Sequence, residues 1–146
     1  MRLRRRKFQH QRAAVALVVV IFLAIGSQVR EGFGPSSGGS VDELFAAQRS
    51  GVMLTVDGTV ERVLSDDNDG SRHQRFIIET PSGLTLLVAH NIDLAPRVAG
   101  LRRGDAVRLH GQYEWNDRGG VMHWTHHDPA GRHEEGWIEH EGEVYR

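Results

Sequence analysis

The sequence predicts a mainly β protein: a small five-stranded OB-like barrel with a short N-terminal helix and a C-terminal hairpin, preceded by an apolar targeting or anchor helix. Three observations point there. Four segments between Leu54 and Trp115 place apolar residues with period two, the signature of strands buried on one face, and Val121 to His126 reads as a fifth strand. An irregular stretch broken by Pro96 separates the third segment from the fourth, as the connection that closes such a barrel requires. A run of bases followed by an uncharged apolar run opens the chain.

Arg2, Arg4, Arg5, Arg6, Lys7 and Arg12 precede Ala13 to Ile25, a run without a charge. A secretory signal has this order and needs small residues at its cleavage site, which Ala24 and Gly26 supply. A bilayer core takes ~20 apolar residues, and extension to Val29 makes a marginal span. Residues 1–26 are therefore expected to be a signal peptide that is cleaved or a signal anchor that is kept. Both place the domain outside, periplasmic or held on the cytoplasmic membrane, because excess arginine stays cytoplasmic. Residues 27–39, rich in Gly and Ser with Pro35, read as a flexible linker. The barrel domain is expected over residues 40–146.

Ser40 and Glu43 fit a capping box opening a short helix that carries Leu44 and Phe45 inward and ends near Gly51. Leu54, Val56, Val60 and Leu64 mark the first strand, with Gly58 at the expected bulge or bend. Gln74 to Thr80 is the second strand, and Leu84, Leu86 and Val88 mark the third. Val107, Leu109, Gly111, Tyr113 and Trp115 share a face of the fourth. Val121 to His126 is the fifth, and Trp137 to Tyr145 forms a hairpin about Glu141-Gly142. An open β-sandwich fits the same alternation.

Lys and Arg total 18 against 19 Asp and Glu. Seven bases and no acid lie in the first thirty positions, so the remainder carries about −8 with histidine neutral. An acidic domain repels phosphate backbones, which argues against nucleic acid as a partner. The absence of cysteine excludes disulfides, thiolate catalysis and Cys-ligated zinc. No phosphate loop or nucleophile elbow is present.

Chemistry concentrates in the histidines. His123, His126, His127 and His133 fall close together, and imidazole is the commonest metal ligand. His126, His127 and His133 are expected to gather where the fifth strand ends, joined by His73 and His90 at the same barrel mouth. They would hold a divalent transition metal, zinc or copper, or a small ligand. Asp128, Arg75 and Asp93 are expected to support them, the carboxylates by orienting imidazoles and the guanidinium as an anion clamp. The alternatives are a solvated strand terminus for the trio, a hydrogen-bonded core histidine at His90 and a surface ion pair at Arg75. Asp66, Asp67 and Asp69 read as a solvated turn, not a calcium loop.

Four stretches resemble a bacterial family catalogued as a domain of unknown function, DUF3465: Gly70 to Phe76, Ala89 to Arg97, Gly111 to Asn116 and Gly119 to Pro129. The likeness spans roughly Gly51 to Tyr145. It implies an exported protein with an OB-like domain and brings no activity. Three functions follow as expectations. The first is a module binding a metal ion or small ligand at a histidine-rich mouth. The second is a metal-assisted hydrolase of the phosphoesterase or nuclease type, with Asp93, Glu114 or Asp128 as base. The third is a structural or interaction domain of the cell envelope.

Overall fold

The computed structural model describes residues 40–146; the expected signal or anchor and the linker lie outside the described residues. Helix α1 (Val41–Ala46) precedes seven strands: β1 (Val52–Val63), β2 (His73–Glu79), β3 (Thr85–Asn91), β4 (Ala106–Glu114), β5 (Val121–His123), β6 (Trp137–His140) and β7 (Glu143–Tyr145). Their order is β1-β2-β3-β5-β4-β6-β7, and β1 also pairs with β4. The first five strands thus close into the OB-type barrel, with β3 and β5 its parallel pair. The closed ring rules out the open sandwich. Among the described residues no helix is long and apolar enough to cross a membrane.

Alternation builds the interior as expected. Phe76, Ile78, Leu86, Val88, Leu109, Tyr113 and Met122 are fully buried. The capping box is formed: Ser40 Oγ accepts from the Glu43 N–H at 3.2 Å, and Glu43 Oε2 accepts from the Ser40 N–H at 3.0 Å. The helix it starts is shorter than expected and buries Val41 with Leu44, while Phe45 stays partly exposed. Ser82 Oγ donates to Asp42, tying α1 to the β2–β3 turn and plugging that end with Val41 and Leu44. The segment after β3 plugs the other end with Ala95 and Val98. There Gln74 donates to Val98 O at 3.1 Å and accepts from Val98 N at 2.9 Å.

Two local expectations are corrected. β1 runs straight through Gly58, where a Cβ would meet Ile78 at 3.0 Å, so this glycine admits a close strand approach. The bulge lies three residues on: Val60 pairs with Ile78 and Arg62 with Ile77, leaving Glu61 extra. The fifth strand stops at His123 because Trp124 adopts φ 52, outside the extended region.

β5 and β6 share one edge of β4. β5 pairs with Gln112 to Glu114 and β6 with Val107 to His110, while β1 covers the opposite edge. They lie end to end, interrupted by residues 124–136. At the neck of this loop Gly136 N donates to His126 O at 2.9 Å. A compact surface loop with its ends together is an Ω-loop, a type often used for function.

Candidate functional site

The Ω-loop carries three of the five expected metal histidines, together with Asp128. Asp128 is buried and organises the loop from within. Its carboxylate accepts from the backbone N–H groups of Ala130 (2.9 Å), Arg132 (2.7 Å) and His133 (2.8 Å). These bonds hold the carboxyl below its ordinary range, with Ala130 and Arg132 contributing most. Its place is thus as a backbone staple.

The loop lies on the outer face of β4, where period two turns His110, Gln112 and Glu114 away from the core. His110 meets Thr55 Oγ1 through Nδ1 (3.0 Å) and Glu134 through Nε2 (3.0 Å). Gln112 donates to Glu114 at 2.6 Å, so its amide oxygen is free to accept from His133 Nε2 at 2.6 Å. His133 Nδ1 lies 2.8 Å from Glu134 O. Its ring stacks on Trp124 at 4.2 Å between centroids. His123 Nε2 stands 3.6 Å from Glu114 Oε1 and has no hydrogen-bond partner. Burial pushes the Glu114 carboxyl up, but hydrogen bonds from Gln112 and Ser50, together with the nearby His123, bring it below its ordinary value. Imidazoles, carboxylates, an amide and the indoles of Trp124 and Trp137 are therefore set side by side on one outer surface.

The five expected metal ligands divide between several settings. His126 is buried, donates from Nδ1 to His127 O at 2.7 Å and packs against Trp124 at 5.0 Å. His127 is exposed and pairs with Glu135 at 2.6 Å. His133 sits on Gln112 as described. His73 and His90 lie at one end of the β2–β3 hairpin, as pairing requires, but on opposite faces of it. His90 is fully buried. Its Nε2 donates to Pro96 O (3.0 Å), which leaves Nδ1 to accept from the Thr125 hydroxyl (2.9 Å). Both nitrogens are engaged, and burial, helped by the charges of His126 and His73, lowers its pKa from 6.5. Among the described residues no three His, Asp or Glu side chains are grouped to hold a metal ion.

The remaining candidates are fixed elsewhere. Arg75 Nε donates to Ser65 O at 3.0 Å. Asp93 accepts from the backbone and the guanidinium of Arg72, at 2.8 and 2.7 Å, and is held below its ordinary range by them. Sequence reasoning passed over His110 and Gln112, although the alternation that buries Val107, Leu109, Gly111 and Tyr113 also places them together outside.

A family model described as "Protein of unknown function (DUF3465)" matches residues 23–146. No curated protein matches the chain.

Proposed function

The chain belongs to the DUF3465 family of proteins of unknown function, and on that premise we propose that it is a binding module. It takes a small ligand, with zinc or copper the first candidate, on the outside of the barrel against β4 and the Ω-loop. One observation carries this reading: His110, His123, His133, Gln112 and Glu114 lie along one outer face while the barrel interior is filled. Nitrogen and carboxylate donors suit such ions, and the exposed Glu134 arm can swing toward one. Hydrolysis has less support, because Asp93 and Asp128 are committed to Arg72 and to the loop backbone. That leaves Glu114 alone of the three candidate bases.

Titrating the full chain with zinc or copper should move the ring resonances of His123 and His133. A His123→Gln, His133→Gln double variant, followed by calorimetry, should bind the metal at least about tenfold more weakly. Silent rings with both metals would remove the metal reading. Turnover of a chromogenic phosphodiester would replace binding by catalysis.

The basic and apolar N-terminus supports a location beyond the cytoplasmic membrane. A reporter that works only outside the cytoplasm, fused after Arg146, should be active. Activity of a cytoplasm-restricted reporter in its place would refute export.

A further inference from the structure

A cleft of about 620 Å³ opens between the end of β1 and the turn leading into β4. Glu61, Arg62 and Val63 line it from β1, and Leu101, Arg102 and Arg103 from the turn. The three guanidiniums make no side-chain hydrogen bond or ion pair among the described residues, whereas Arg72 and Arg97 are paired with Asp93 and Asp66. In a domain of about −7 over residues 40–146, a place with three arginines and one lining acid runs against the general charge.

The backbone that presents them is tightly held. The bulge at Glu61 re-aims the end of β1. Val60 N donates to Asp105 O and accepts, through its carbonyl, from Gly104 N, both at 2.8 Å. Asp105 feels the charge of Arg102, yet its carboxylate is occupied by the Arg102 backbone N–H (2.8 Å) and by the buried His140 (2.9 Å). It braces the turn without closing over the guanidiniums.

We infer that this cleft binds a phosphate-type anion joined to an apolar portion. Guanidinium forks match the non-bridging oxygens of a phosphate and its negative charge. Val63, 41% exposed, and Leu101 supply the apolar wall. The same group occurs on soluble phosphorylated molecules and on the headgroups of anionic lipids.

The test uses the full chain with inorganic phosphate, phenyl phosphate, and phosphatidylcholine vesicles with and without phosphatidylglycerol. Phenyl phosphate should bind more tightly than inorganic phosphate if the source is soluble. Vesicle binding that depends on phosphatidylglycerol, without phenyl phosphate binding, assigns the site to lipid. In either case Arg102→Gln, Arg103→Gln should weaken binding about ten- to a hundredfold with an unchanged melting temperature, since the charge-assisted bonds to the phosphate are lost. The N-terminal segment is common to both chains, so their difference reports on the cleft. Failure of every probe, or binding unchanged in the Gln variant, overturns the inference. So does full binding by Arg102→Lys, Arg103→Lys, which keeps the charge and loses the forks.

Discussion

Replacing Gly136 with alanine is expected to destabilise the protein by about 3 kcal/mol and to release the Ω-loop from the barrel. A Cβ there would stand 1.8 Å from Trp124 O and 2.7 Å from His110 O. Both are backbone atoms, so neither can rotate aside. Overpacking a fitted site costs about 1–3 kcal/mol, and relief here requires opening the neck at Gly136 N and His126 O. Gly131 is the control: it lies in the same loop at φ 61 with open space around its Cβ, so its alanine variant meets backbone strain alone. Denaturant titration should rank Gly136→Ala well below Gly131→Ala. Amide exchange should rise across residues 124–136 while β2 and β3 stay protected. Equal stability of the two variants would show that the neck does not hold the loop.

His90 sets the second large effect. His90→Ala strands the Pro96 carbonyl and the Thr125 hydroxyl in the closed barrel end, at about 1–3 kcal/mol for each stranded group. The same residue makes stability depend on pH. Burial lowers its folded pKa, whereas the unfolded ring takes a proton near 6.5. Below about 6.5 the unfolded chain therefore binds more protons than the folded one. Stability is complete above that value and falls as the pH drops through it toward the lower folded pKa. The comparison is with His90→Gln, whose melting temperature should fall less on acidification. Identical slopes for the two proteins would remove His90 as the source.

Short-range signals carried most of the fold. Alternation in Leu84, Leu86, Val88 and in Val107, Leu109, Gly111, Tyr113 names the inner face directly, and Ser40 with Glu43 names the helix start. The site was less legible because it depends on residues far apart in the chain. Gln112 meets His133 only because the loop returns at its neck, and that return rests on one glycine among 17. A tryptophan at φ 52 gives no compositional sign that a strand ends before it. Clustering of His126, His127 and His133 in sequence was visible, but the side chains they meet lie partly on β4 and partly in the loop itself.

The broken edge along β4 has a consequence for how this protein can vary. His123 stands opposite Gln112 and Trp137 opposite His110, so a single residue facing Gly111 would join them. The ladder can therefore run through without the loop, although the buried Thr125 hydroxyl on His90 ties the loop's first residues to the barrel end. In the language of engineering, residues 124–136 are a cassette plugged into a finished chassis. Beyond Thr125 they can be lengthened or exchanged while the hydrophobic core stays constant, which leaves the outer surface free to diverge faster than the fold that carries it.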